Sequence, residues 1–172
     1  MTPAARRTRR LQARGFTFIE LVITLALIGL VSTLALPLAE VTAMRLKEAE
    51  LRQALRTVRA GLDAYKAATD NGSLKREPGA SGYPPTLELL TQVLDLAQKP
   101  DASGTLAAQR LVILRQLPRD PFNTDPTLAP EQTWNTRAYG SRSDDPQPGD
   151  DVFDISSKSS GIALDGTPYA SW

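Results

Sequence analysis

FTFIELVITLALIGLVSTLALPLA, residues 16–39, is a run of twenty-four residues with one charge, Glu20, at its fifth position. As a helix rising about 1.5 Å per residue it is long enough to cross a hydrocarbon core of about 30 Å. The residues before it include Arg6, Arg7, Arg9, Arg10 and Arg14 and no acid. Basic residues at one end of a span hold that end in the cytoplasm, so residues 40–172 are expected on the other side of the membrane.

Outward from that run, the junction Arg14-Gly15-Phe16-Thr17-Phe18-Ile19-Glu20-Leu21 resembles the processing site of type IV pilins and pseudopilins. That site is a short basic leader, a Gly, then Phe-Thr-x-Ile-Glu-Leu opening an apolar helix. The resemblance implies a membrane-embedded prepilin peptidase that cuts between Gly15 and Phe16, removes residues 1–15 and N-methylates Phe16. An ordinary secretory signal is cut after its apolar core, which is lost. A cut before the core keeps it.

Glu20 has two readings. An acid in an apolar run is costly unless paired, and intramembrane acids are functional candidates. Near the start of a helix it also reaches the headgroups and favours the positive helix end. The resemblance implies instead that Glu20 attracts the amino terminus of a neighbouring subunit and sets register along a filament. Pro37 lacks the amide that would bond to Thr33, and Gly29 adds backbone freedom. A plain membrane-helix kink accounts for both, whereas the resemblance implies a segment that loosens when subunits pack.

The chain has 172 residues, 41% of them hydrophobic, with no His and no Cys. This is room for one small domain plus an anchor. It lacks the commonest general base, the thiol nucleophile and nearly every zinc pattern. Among relatives of the resembled family, missing Cys leans away from the major type IV pilins of many pathogens, which close a C-terminal loop with a disulfide. The formal charge of +1 includes the five leader arginines; without them fifteen basic residues face nineteen acids, a net of −4. A mildly acidic mature chain gives no sign of a nucleic-acid surface.

Beyond the apolar run, Leu51, Leu55, Val58, Leu62 and Tyr65 recur at helical spacing, with no Pro or Gly between residues 41 and 60. The pattern predicts one helix over 17–69, its amphipathic half over 40–70 packing on a globular head or forming a short coiled coil. Glu48 with Arg52, and Arg59 with Asp63, are spaced as intrahelical pairs. Asp70-Asn71-Gly72 is a stop in which Asn and Gly supply positive backbone angles. Thr86 is spaced as an N-cap for a short helix over 86–97. A second helix is expected over 104–114.

Leu117-Pro118-Arg119-Asp120-Pro121-Phe122 is similar to a Leu-Pro-x-Asp-Pro-aromatic segment of major pseudopilins. Its two prolines suit a rigid joint with Phe122 plugged into the core. Arg119 and Asp120 read as an exposed turn pair, with a chemical role as the alternative. Strands are expected over 133–139 and 152–155, joined by a polar loop over 140–151. That loop holds Asp144, Asp145, Asp150 and Asp151, which a solvated surface explains and which calcium would also fit in part. Asp154-Ile155-Ser156-Ser157 and the closing Ser171-Trp172 resemble the tail of the major pseudopilin. In that family the intervening loop binds calcium. Here residues 158–169 hold one acid, Asp165, and a Lys. No cofactor is therefore expected, calcium being unsupported by the loop; Ala163-Leu164-Asp165-Gly166-Thr167-Pro168-Tyr169 resembles a branch of pseudopilin-like proteins in which a turn and apolar plugs replace the ion, which implies Leu164, Tyr169 and Trp172 as core pins and Asp165-Gly166 as the turn.

The expected fold class is α+β and pilin-like: a long N-terminal helix on a small head with short helices and an antiparallel C-terminal sheet. The divisions are leader 1–15, transmembrane and polymerisation helix 16–39, amphipathic half 40–70 and periplasmic head 71–172. The closest resemblance is to the major pseudopilin of type II secretion, general secretion pathway protein G. It implies a non-enzymatic inner-membrane subunit that assembles into a periplasmic filament driving secretion. The implied partners are the prepilin peptidase, other pseudopilin subunits both major and minor, and the inner-membrane assembly platform. A type IV pilus subunit is the alternative; a membrane-anchored enzyme or sensor is a third, disfavoured by the missing chemistry. Glu20→Ala is expected to leave leader removal intact while reducing incorporation into filaments. Measuring the mature N-terminus beside sheared fibre yield checks this, and normal fibre yield would reject the assembly role.

Overall fold

The computed structural model describes residues 15–97 and 109–172; residues 1–14 of the expected leader and residues 104–108 of the expected second helix lie outside them. The fold is α+β and pilin-like. One long helix, α1 (Phe18–Asp70), is followed by 3₁₀ turns and two antiparallel pairs of short strands. The chain divides into two compact units between Thr42 and Ala43.

In the first unit α1 is apolar on every side and includes Pro37. Its hydroxyls fold back onto its own carbonyls: Thr24 donates to Leu21 O, Ser32 to Ile28 O, Thr33 to Leu30 O and Thr42 to Leu38 O, at 2.7–2.9 Å. Polar side chains satisfied this way can sit in lipid without an outside partner.

In the second unit Leu51, Ala54, Leu55, Val58 and Leu62 are buried, and Tyr65 packs at the edge. They meet Leu87, Leu90, Leu117, Trp134, Val152, Ile155, Ala163 and Tyr169. The helical stripe is thus the core of the head and not a coiled-coil seam. α1 stops where Gly72 takes a φ of +73°, a conformation that costs residues with a Cβ. Asn71 does not share the left-handed angle expected of it. Its Oδ1 instead accepts the Ser73 amide at 2.9 Å, closing an Asx turn.

The helix expected over 86–97 is a single 3₁₀ turn, Leu87–Thr91. Thr86 stands extended at its start and makes no side-chain cap bond. The chain then enters β1 (Leu94–Asp95), which pairs antiparallel with β2 (Arg110–Leu111), Leu94 opposite Leu111. Strand pairing and the Leu114 amide on Leu90 O, at 2.8 Å, therefore displace both expected helices over their described residues. Helix propensity over so few residues is weak, and burial of Leu87 and Leu90 outweighs it.

The C-terminal hairpin pairs β3 (Trp134–Arg137) with β4 (Asp154–Ser157), Trp134 opposite Ser157 and Arg137 opposite Asp154. β3 falls inside its expected range but is shorter, and β4 is displaced, starting two residues later. Thr133 closes a 3₁₀ turn, Pro130–Thr133, and Val152 donates to Pro84 O at 2.8 Å outside the hairpin. Leu62→Ala, at a site 1% exposed, should cost about 2–5 kcal/mol. Leu46→Ala, at a site 62% exposed, should stay within about 0.5 kcal/mol. Denaturant unfolding of both variants in detergent checks the contrast.

Candidate functional site

The N-terminal end of α1 is built as a reciprocal cap. The Glu20 amide donates to Thr17 Oγ1 at 3.3 Å, and the Thr17 amide donates to Glu20 Oε2 at 3.5 Å. This is the Ser/Thr-x-x-Glu capping box, whose spacing Thr17-Phe18-Ile19-Glu20 displays in sequence. Phe16 and Phe18 are more than four-fifths exposed, and Ile19, Leu25, Leu27, Ile28, Leu30 and Leu38 are exposed with them. Gly29 has no neighbouring atom within 4 Å of where a Cβ would stand. An apolar surface of this extent calls for lipid or another apolar surface against it.

In the head, the joint at residues 117–122 is a buried pin. Asp120 is 1% exposed. Its Oδ2 accepts the Ser157 hydroxyl, its Oδ1 accepts the Phe122 amide at 2.8 Å, and its own amide donates to Thr133 Oγ1 at 3.1 Å. Pro118 O accepts the Trp134 indole N–H at 2.9 Å. Arg119 turns the other way and donates to the carbonyls of Leu128 and Asp125. The expectation of an exposed Arg119–Asp120 turn pair is thus corrected: alternation across the joint sends one side chain outward and the other into the core. Leu117 is buried, and Phe122 stacks on Tyr169 with ring centroids 4.1 Å apart, beside Pro121.

The tail closes over α1. Gly166, at φ +87°, makes the turn after Asp165, whose Oδ1 accepts the Thr167 amide at 2.9 Å and its hydroxyl at 2.6 Å. The Thr167 bonds, and after them the Arg52 charge, hold the Asp165 carboxyl below its ordinary pKa. Trp172 donates its indole N–H to Thr167 Oγ1 at 2.7 Å, and the Arg52 guanidinium lies 4.3 Å over its ring. Leu164 is half exposed, contrary to its expected role as a core pin; Ala163 takes that place beside Tyr169, which is buried as expected. The one-residue difference follows from the turn geometry, in which the Leu164 amide faces α1 and its side chain does not. Asp154 pairs with Arg59 at 2.7 Å and Arg137 at 3.5 Å.

Residues 10–36 match the prokaryotic N-terminal methylation motif. Comparisons with curated proteins and with solved structures found no match. The motif runs into a helix long and apolar enough to cross a membrane, and supports the broad type IV pilin-like family. It indicates a structural subunit, anchored in a membrane, processed by prepilin peptidase and assembled with other pilin-like subunits.

In the 140–151 loop, Asp144 pairs with Arg142 at 2.8 Å, Asp145 accepts from Gln147, and Asp151 accepts the Tyr139 amide. Among the described residues no group of three His, Cys, Asp or Glu side chains is placed to hold a metal ion.

Nothing in the spacing of Glu48 and Arg59 marks them as long-range partners. Their spacing suggests bonds to Arg52 and Asp63, but Glu48 binds Leu164 and Tyr169, and Arg59 binds Asp154. A signal existed for Glu48: it falls on the same stripe as Leu51 and Leu55 and is therefore only 5% exposed. Asp120→Ala strands the Ser157 hydroxyl and the Phe122 amide, at about 1–3 kcal/mol for each group left unsatisfied. In a double-mutant cycle with Ser157→Ala the two losses should overlap; additive losses would show that the pair is uncoupled.

Proposed function

We propose that this chain is a pseudopilin subunit of a type II secretion system, closest to the major pseudopilin. The observation that carries the reading is the methylation motif opening directly into an exposed apolar helix. In this reading the peptidase cuts between Gly15 and Phe16, N-methylates Phe16, and leaves the helix in the inner membrane with residues 71–172 in the periplasm. Subunits then leave the bilayer and stack by their apolar halves into a periplasmic filament that pushes cargo through an outer-membrane channel. Burying the helix against neighbours replaces lipid contact with protein contact, so packing fit must carry specificity. Glu20 would add to it by drawing in the amino terminus of a neighbouring subunit, and Gly29 and Pro37 by letting the segment between them adjust.

Secretion is favoured over an adhesive or motile pilus by the Leu117–Pro118–x–Asp120–Pro121–Phe122 joint and by the absence of Cys. The head would rely on its own side chains and not on calcium, since Asp165 is the one acid of residues 158–169 and is already bonded to Thr167. Mass spectrometry of the mature chain should find methylated Phe16 at its start. Deletion should abolish secretion of cargo and leave surface fibres intact; lost fibres with normal secretion would assign the chain to a type IV pilus instead.

A further inference from the structure

We propose that residues 158–172 form a strap that Glu48 and Arg59 latch onto α1, and that this strap opens as a unit while the rest of the head stays folded. The strap is built from its own bonds. Ala163 donates to Thr167 O at 2.8 Å, Gly166 to Ala163 O at 2.9 Å, Tyr169 to Gly161 O at 3.1 Å and Trp172 to Tyr169 O at 3.2 Å. Its polar attachment to α1 comes down to a few side chains. Glu48 Oε1 accepts both the Leu164 amide, at 2.8 Å, and the Tyr169 hydroxyl, at 3.1 Å. Arg59 Nη2 donates to Trp172 O at 2.8 Å and to Ile155 O at 3.0 Å, gripping strap and β4 together. Arg52 adds an exposed contact to Asp165 at 3.6 Å.

Because one carboxylate oxygen takes both bonds from the strap, the two are made or lost together. Glu48 is buried in the closed state, where the strap supplies both of its donors; opening exchanges those two bonds for bonds to water. Burial, and after it the Glu48 carboxylate, push the Tyr169 phenol pKa up, so the hydroxyl keeps its proton and remains a donor. The hinge falls at Ser157, where β4 ends and its hydroxyl accepts the Ser159 amide at 3.0 Å. Ser157 itself stays pinned by Asp120, which gives the moving part a fixed end. The strap also enters the core through Ala163 and Tyr169, on which Phe122 stacks, but its other residues lie at or near the surface, so it opens at lower free energy than the Leu51 to Leu62 stripe.

The strap depends on head geometry and not on the secretion reading, so either can fail without the other. The test is amide hydrogen exchange on the mature full-length protein in detergent micelles. In the wild type, the Leu164 and Tyr169 amides should be protected yet exchange faster than those of Val58 and Leu62. Glu48→Leu should speed Leu164 exchange about tenfold or more with the Val58 rate unchanged, whereas Glu48→Gln, whose carbonyl can accept the same two bonds, should stay close to wild type. Neither calcium nor a chelator should alter the wild-type rates. Leu164 exchange at the core rate in the wild type would overturn the strap as a separate unit, and that comparison needs no variant to fold. Undiminished protection in Glu48→Leu, or a chelator that frees Leu164, would overturn the latch.

Discussion

The head depends on burial of one helical stripe. Its strands are two and four residues long, and pairs that short do not stand alone in water. Leu51, Leu55, Val58 and Leu62 give them a common wall, against which Leu90, Trp134, Ile155 and Tyr169 pack from four different segments. Burial of apolar area is non-directional. It gathers these segments without specifying how each sits.

Specific seating comes from buried polar groups. Asp120 with Ser157 and Thr133 fixes the joint to the hairpin, and Glu48 with Tyr169 fixes the tail to α1. Among the described residues, no buried side-chain nitrogen or oxygen lacks a hydrogen-bond partner. A satisfied network is rigid because each arrangement that breaks it strands a donor or acceptor away from water. With no Cys in the chain, such pins do the fastening that a disulfide supplies elsewhere.

The two units answer to different solvents. In the first, the apolar surface is outward and hydroxyls are turned in on the helix; in the second, the apolar surface is inward and charges line the seam between helix and tail. A chain so divided suits a structural role in which one part meets lipid or like helices and the other meets water.

Much of this was legible beforehand because it is local. The length of the apolar run, the helical recurrence of Leu51 to Leu62, the stop at Gly72 and the long-looped hairpin each depend on neighbours within a few residues or on simple alternation. The Thr17–Glu20 cap is equally local, a matter of three-residue spacing. What the tertiary structure alone decided lies far apart along the chain: Glu48 meets a tyrosine 121 residues away, and Arg59 an aspartate 95 away. Asp120 looked like a surface turn because nothing near it in sequence reveals that Ser157 will stand opposite, and Leu164 looked buried because composition cannot say which side of a turn faces inward. Periodicity reports how a segment would like to fold by itself, whereas burial of a charge or the loss of a short helix is settled by partners that only the folded chain brings within 3 Å.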